Sequence, residues 1–284
     1  MEQKYSDWFK IDLHIHTDKS KETKEGDYQG TFSVDTLKTK LKENEVRIFS
    51  LTDHNIVNVE AYRAYYTNYD EKEDPLLLLG VELDIQGSTK TYHSLLIFNH
   101  SDIQSVESIS EKLEKKYSDK SISDKKQRVL SIEDIVDIFE KEDFFFIPHA
   151  GDASKNIVSG NRSSITETQR MLILMQSALE KVTKEEIIKH YNIGFDKLLS
   201  EEFQNKKDFA YINFSDNHCC EKYPKTHFGD NDFSHYYIKG IKSYESIRLA
   251  FIDPESRIKS PEEYQKIDKT NNIVVGDNPA TKDQ

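Results

Sequence analysis

The sequence predicts an α/β fold, a barrel of parallel strands whose loops build a site at one end. Two observations predict this fold. Short apolar runs alternate with helical patterns, as in buried parallel strands. Several of these runs also stop at histidine or carboxylate residues. Because all strands of a (β/α) barrel end on one face, ligands scattered over about 200 residues would meet at one point.

Five apolar runs carry such residues. They are the run that ends in residues 12–17, with His14 and His16; 47–51 before Asp53 and His54; 76–81 before Glu82; 144–148 before His149; and 210–215 before Asp216 and His218. A further candidate, His93, begins the apolar run 94–98. On a strand, residues i and i+2 point the same way. His14 and His16 can therefore bind a single ion, and so can Asp216 and His218.

Helix-starting signals lie between these runs. Ser33 precedes apolar residues at helical spacing as far as Leu41, Ser131 opens a capping box, and Thr183 begins a third amphipathic stretch. The alternation of strand and helix favours a parallel sheet.

The length of 284 residues allows one barrel-sized domain or two smaller ones. Fifteen Phe and 15 Tyr residues argue against disorder, which is poor in aromatics. After Pro261 the chain becomes polar and loses its periodicity. We therefore expect a barrel over residues 1–262. Over residues 263–284 we expect a polar tail, or a linker of the kind that leads to a further domain.

Composition also bounds the setting. The start of the chain has no apolar segment of signal-peptide kind, and no apolar run approaches the roughly 20 residues that span a bilayer. The only cysteines, Cys219 and Cys220, are adjacent, and neighbouring cysteines rarely form a disulfide. The sequence therefore predicts a protein of the reducing cytoplasm with no membrane contact.

The formal net charge is −12. This charge argues against a protein that holds nucleic acid by general electrostatic attraction, because neutralising phosphate takes Lys and Arg. It does not exclude a nuclease, since clustered divalent cations reverse the local sign of a carboxylate-rich site.

The candidate residues suit a multi-metal centre. Histidine nitrogen and carboxylate oxygen together favour Mn, Fe or Zn over Mg. Glu82 is a candidate bridge, because one carboxylate can hold two cations. A single histidine on a strand is more often a core residue than a ligand. The whole set, with each member on its own strand, indicates metal binding.

The motifs resemble those of the PHP (polymerase and histidinol phosphatase) family. The resemblance is carried by residues 12–17, 51–55, 80–82, 148–150 and 215–218, in the family's order. It implies a distorted (β/α)7 TIM-like barrel with two or three divalent ions (Mn, Zn or Fe) that hydrolyses phosphate esters. The metal ligands it implies are His14, His16, His54, Glu82, His93, His149, Asp216 and His218. The catalytic residues it implies among them are His14, His16, Glu82, Asp216 and His218.

One position departs from the family pattern. PHP proteins usually place a His or Asp ligand several residues after the H-x-H pair, and here the loop is residues 18–27. Spacing favours Glu22, whereas residue type favours Asp27. Asp27 is our candidate metal ligand, and Glu22 stays the alternative.

Three further residues have candidate roles beside the metals. Asp53 can hydrogen-bond a ligand or a neighbouring group. Lys155 and Arg162, in the loop after His149, can hold phosphate. Ordinary surface charges are the alternative interpretation of these two cations.

The segment 240–258 is similar to the region C-terminal to the barrel in large PHP–ATPase proteins, some of which are linked to defence against phage. This similarity favours a nuclease that cleaves nucleic-acid phosphodiesters, with an ATPase as a partner protein or domain. No Gly-Lys-Ser/Thr phosphate loop is present in the sequence.

Three alternatives stay open. The first is a phosphatase acting on small molecules or nucleotides. The second is an amidohydrolase-type barrel, which also begins with H-x-H but expects a bridging lysine and a lone late Asp. The third is a non-catalytic, metal-stabilised module that binds a partner. A barrel without activity is free to lose ligands, so the fact that most of the ligand set is intact argues against this alternative.

Overall fold

A computed structural model describes residues 6–122, 124–151, 154–157, 166–182, 209–225 and 232–273, with side chains as far as residue 267. The chain there forms a sheet of seven strands that is curled into a half-barrel. The strands are β1 (Asp7–Ile15), β2 (Val46–Leu51), β3 (Leu76–Gln86), β4 (Thr91–Phe98), β5 (Phe144–Pro148), β6 (Tyr237–Gly240) and β7 (Ile258–Lys259). The predicted α/β, distorted TIM-like barrel is thus confirmed.

The sheet is mixed rather than all-parallel. Its strand order is β5-β4-β3-β2-β1-β6-β7, and the parallel pairs are β1 with β2 and β2 with β3. β4 is antiparallel to both β3 and β5, and β6 is antiparallel to β1 and β7. The expectation of parallel strands throughout was therefore wrong. Only residues 87–90 separate β3 from β4, and a parallel crossover needs a connection of a dozen or more residues.

The described residues also form helices, most of which pack against one face of the sheet. They are α1 (Val34–Glu43), α2 (Val59–Thr67), α3 (Ile103–Asp119), α4 (Ile132–Phe139), α5 (Glu167–Met175), α6 (Tyr244–Ile252), α7 (Pro254–Arg257) and α8 (Pro261–Ile273). The predicted caps are present. The Ser33 hydroxyl accepts from Thr36 N at α1, and Ser131 forms a reciprocal capping box with Asp134 at α4. The helix expected from Thr183 lies outside the described residues.

Two apolar cores sandwich the sheet. The outer core joins sheet residues such as Phe49 and Leu77 to Leu41 of α1 and Tyr62 of α2. The inner core fills the barrel with residues from alternate strand positions and is closed by Ile247 of α6. Along each strand the side chains alternate between these two cores, as the pleat requires.

Ala210, Ile212, Phe214 and Ser215 are buried, but within the described part of the chain residues 210–215 form no regular strand. They make isolated bridges instead. Leu179 N donates to Ala210 O, Ile212 N donates to Leu179 O, and Tyr211 bridges Leu179. The neighbouring residues 176–182 form only isolated bridges, so they offer residues 210–215 no continuous ladder of hydrogen bonds.

The C-terminal part of the described chain is helical across the boundary at which we expected a tail. α8 begins at Pro261, and the ring of Tyr264 stacks on Tyr237 of β6 with centroids 3.8 Å apart. The division of the chain at residue 262 stays a prediction. No helix among the described residues combines the length and apolar character that crossing a bilayer demands.

Candidate metal centre

An irregularity in β1 directs the two histidines of the H-x-H pair. The pairing of β1 with β2 shifts between Asp12 and Ile15. Leu13 packs in the inner core, whereas Ile15 packs in the outer core. Strict alternation would place these two residues on the same face. The shift therefore turns the end of the strand, as β-bulges next to active sites do.

Four acceptor atoms converge at the barrel mouth. His14 Nε2 lies 3.1 Å from His16 Nε2, 3.5 Å from Glu82 Oε2 and 3.0 Å from Asp216 Oδ1. His16 Nε2 lies 3.4 Å and 3.2 Å from the same two oxygens. Bonds of about 2.0–2.2 Å to one ion would place ligand atoms about 2.9–3.5 Å apart. The observed spacing matches that range.

Glu82 connects this group to the next one. Its Oε2 also lies 2.9 Å from His54 Nδ1, while its Oε1 lies 2.6 Å from His93 Nδ1 and 3.7 Å from His149 Nδ1. Glu82 and His93 lie within β3 and β4, not at strand ends as the sequence suggested. With two oxygens facing different histidines, Glu82 has the geometry of a bridging carboxylate.

The loop after the H-x-H pair brings Asp27 to the cluster. Asp27 Oδ2 lies 3.3 Å from His218 Nδ1 and 3.4 Å from His54 Nε2. Glu22 faces away, with its carboxylate 2.5 Å from both Lys19 and Lys125. Geometry therefore favours Asp27 over Glu22 at this position.

Asp53 acts on the centre through Ser20. The carboxylate is buried and accepts hydrogen bonds from Thr17 N and the Ser20 hydroxyl, at 2.7 and 2.6 Å. Because Ser20 donates to Asp53, its oxygen accepts from His16 Nδ1, 3.1 Å away. This chain places the proton of His16 on Nδ1 and leaves the Nε2 lone pair facing the centre. Such outer contacts orient metal-binding histidines.

Glu180 does the same for His14, and the sequence interpretation missed it. Its fully buried carboxylate accepts from His14 Nδ1 at 2.8 Å and lies 3.2 Å from His149 Nε2. Backbone bonds hold Glu180 beside the end of β5, from Ala150 N to Glu180 O and from Glu180 N to Pro148 O. The available signal was a lone acid after the short apolar pair Ala178-Leu179, which is too weak to single out by itself.

Negative charge dominates the centre. Burial lowers the pKa of the His14 imidazole, but the carboxylates of Asp216 and Glu180 outweigh burial and raise it well above its ordinary value. Burial also opposes protonation of His54, yet Glu82 and its neighbours raise the pKa of His54 to about 9. A field that favours a protonated imidazole equally favours a bound metal cation.

Several polar atoms of the cluster are buried without a hydrogen bond. Among the described residues these atoms include Asp27 Oδ2, His54 Nδ1, Glu82 Oε2, His93 Nε2, His149 Nε2 and Glu180 Oε2. Leaving a buried polar atom unsatisfied costs about 1–3 kcal/mol. Overlapping groups of three, such as His14, His16 and Glu82 or His54, Asp84 and His93, can each hold an ion. The donor set fits more than one divalent metal.

Three lysines lie at the edge of the cluster. Lys24 Nζ is 2.7 Å from Asp27 Oδ1, Lys155 Nζ is 2.7 Å from Asp84 Oδ1, and Lys181 Nζ is 2.7 Å from Asp216 Oδ2. Lys155 therefore lies beside the cluster, whereas Arg162 lies outside the described residues. Asp84 and Lys181 were not foreseen. Asp84 shares its face of β3 with Glu82, so strand alternation could have found it.

Two residues at the cluster have an unusual backbone conformation. Lys181 and Asp216 both have positive φ values, 58° and 52°, which are uncommon for residues with a side chain. Lys181 N donates to Asn213 Oδ1 at 2.7 Å, which helps to hold this conformation. Strained residues cluster at functional sites.

No family model matches the sequence, and no curated protein matches it.

Several solved structures resemble the fold. A two-domain protein from Bacteroides vulgatus containing a predicted PHP-like metal-dependent phosphoesterase is 16% identical, with a TM-score of 0.54 over 89% of this chain and 64% of that one. A proposed metal-dependent phosphoesterase from Bifidobacterium adolescentis is 14% identical, with a TM-score of 0.47 over 84% and 94%. An amidohydrolase from Chromobacterium violaceum is 13% identical, with a TM-score of 0.43 over 89% and 98%. The first of these supports the fold, which this chain shares with a PHP-like domain.

Proposed function

We propose that this chain is a metal-dependent phosphoesterase of the PHP family. One observation carries the proposal. Imidazole nitrogens and carboxylate oxygens from β1, β3, β4 and the adjoining loops meet at the buried centre with neighbouring atoms 2.6–3.5 Å apart, and several of these atoms have no hydrogen bond. Such a set is costly without cations. It also matches, residue by residue, the ligands that the PHP resemblance implies.

Divalent ions at this centre would polarise a phosphate ester and make a bound water nucleophilic at neutral pH. The side chains His14, His16, His54, Glu82, His93, His149, Asp216, His218 and Asp27 would hold them. Glu180 and Ser20 fix the histidine tautomers, so that lone pairs face the ions. Burial of the ligands keeps bulk water from competing for the site.

The rim lysines orient the substrate. Lys24 and Lys155 have side chains 52% and 42% exposed, so their ammonium groups are accessible at the mouth. An ammonium group has three donors. Lys155 uses one on Asp84, and Lys24 uses one on Asp27 and lies 3.2 Å from His54 Nε2. The remaining donors are available to phosphate oxygens. We keep Lys155, and with it Arg162, as proposed phosphate-binding residues.

The test compares metal-free and metal-loaded protein on phosphate esters. His14→Ala and Asp216→Ala should abolish Mn-dependent hydrolysis and leave the circular-dichroism spectrum unchanged, because the core is built from the apolar strand residues. His100→Ala is the matched control, since His100 pairs with Glu142 on another part of the molecule. Hydrolysis that survives both site variants would refute the proposal. Loss of soluble protein in both would assign the metals a structural role.

The finer proposal is a nuclease that cleaves phosphodiesters of nucleic acid, in anti-phage defence and with an ATPase partner. Its support is the resemblance of residues 240–258 to PHP–ATPase proteins. The measurement is a screen of single- and double-stranded DNA and RNA against small phosphomonoesters. Rapid release of phosphate from a monoester with nucleic acids left intact would replace the nuclease by a phosphatase and leave the phosphoesterase class standing.

The metals themselves are proposed to be Mn, Fe or Zn, two or three in number. Mixed nitrogen and oxygen ligation suits these ions better than Mg. Anomalous diffraction at several metal edges would identify them and count them.

A further inference from the structure

Behind the metal centre lies a buried polar connection that the proposed chemistry does not use. The Tyr223 hydroxyl donates to Asp12 Oδ2 at 2.7 Å. Because that hydroxyl donates its proton to Asp12, its oxygen accepts from His235 Nε2, 2.6 Å away. Asp12 is fully buried, and Tyr223 and His235 are 4% and 5% exposed. His235 is therefore part of the interior.

The other oxygen of Asp12 joins two metal-binding segments. Asp12 Oδ1 accepts from Ser215 N at 3.1 Å and from His14 N at 3.4 Å. His14 is a candidate ligand, and Ser215 directly precedes the candidate ligand Asp216. One carboxylate therefore holds the end of β1 against the segment that supplies the late ligands.

This contact matters because the late segment has no strand ladder to fix its register. Within residues 209–225, the backbone meets β1 through the hydrogen bond from His16 N to Asn217 O, at 2.9 Å. The Ser215 hydroxyl adds a long contact of 3.4 Å to His14 O. Side-chain bonds must therefore supply the precision that continuous pairing supplies elsewhere in the sheet.

We infer that Asp12, Tyr223 and His235 form a positioning device that sets Asp216 and His218 against His14 and His16. The inference rests on the proposed metal centre and predicts an effect confined to one part of it. The group His16, Asp216 and His218 depends on the device. The group His54, Asp84 and His93 is supplied by β3, β4 and the end of β2 and does not.

The phenol is suited to this role. Burial and the neighbouring carboxylate of Asp12 raise the pKa of Tyr223 well above its ordinary range, so the hydroxyl keeps its proton and remains a donor. A donor to one oxygen of Asp12 fixes the carboxylate plane. The plane in turn aims Oδ1 at the two backbone amides.

The experiment measures metal binding rather than turnover. Mn²⁺ is titrated into metal-free wild type and Tyr223→Phe by calorimetry, and bound ions are counted by native mass spectrometry. We expect Tyr223→Phe to weaken one ion by about 10- to 100-fold, as loss of an outer partner does, and to leave the other ion unchanged. Tyr65→Phe is the matched control, because its buried hydroxyl donates to Pro75 O at 2.6 Å, away from the cluster.

Asp12→Ala removes the acceptor of both backbone amides and provides a second variant. It should show the same selective loss, at least as large as in Tyr223→Phe. Equal weakening of all ions, or full occupancy in both variants, would overturn the inference. Because the readout is metal binding, a wild type that binds ions but hydrolyses no phosphate ester would reject the proposed function and leave this inference intact.

Discussion

Glu180→Gln tests how the centre orients His14. Burial opposes the charged form of Glu180, but His14 and His149 lower its pKa to about 2, so the carboxylate is ionised at neutral pH. The 2.8 Å bond from His14 Nδ1 is thus made to a buried charged acceptor. Such bonds contribute about 1.5–3 kcal/mol. At 1.4 kcal/mol for each tenfold change, we expect metal affinity to fall by about 10- to 100-fold.

The assay is calorimetric titration of Mn²⁺ into metal-free protein at pH 7. Glu142→Gln is the matched control, because its carboxylate accepts from His100 Nε2 at 2.9 Å and takes no part in the cluster. The control should bind metal as the wild type does. Wild-type affinity in Glu180→Gln would show that the tautomer of His14 is set by something else, and the reasoning would fail.

Three further predictions concern stability and substrate. The pKa of His54 is raised from 6.5 to about 9. In metal-free protein, the contribution of His54 to the free energy of unfolding is therefore complete below pH 6.5 and lost as pH rises through 9. Urea unfolding with a chelator should show this loss, up to about 3 kcal/mol, and His54→Gln should reduce it. Leu41→Ala, in the outer core, should lower the free energy of unfolding by about 2–5 kcal/mol. It should lower the melting temperature by roughly 2–4 °C per kcal/mol and leave metal stoichiometry unchanged. Lys155→Glu should raise KM more than it lowers kcat if the phosphate contact of Lys155 is equally strong in the ground and transition states. The salt dependence of nucleic-acid binding should be shallow, because few cationic side chains take part.

The histidines were predictable because each follows or opens an apolar run. The positions of His14, His16 and His149 beside apolar runs were enough to identify them as candidates. The same apolar runs predict the fold class. The direction of the strands was not predictable by that argument. An apolar run indicates burial on both faces but says nothing about its partner, and the short turn before β4 was the signal that decided it.

The supporting residues were harder to predict, because what matters in them is contact rather than pattern. Glu180 reaches His14 across 166 positions of the sequence, and no local spacing relates the two. In the sequence, Asp12 is notable only as the first residue of the motif over residues 12–17. Its role depends on Tyr223 and His235, which come from a loop whose path the sequence does not reveal.

The scattered origin of the ligands would make a bound metal ion a crosslink in the polymer sense. His14 and Asp216 approach within 3.0 Å although about 200 residues separate them, and an ion that binds both closes a loop of that size. In the chain-entropy picture, a permanent link across such a loop removes about 5 kcal/mol of freedom from the unfolded chain. Such a link would form and break with metal exchange, so we expect metal supply to set how long residues 209–225 resist proteolysis. Protease cleavage in that segment, with and without a chelator, would report the lifetime of the crosslink directly.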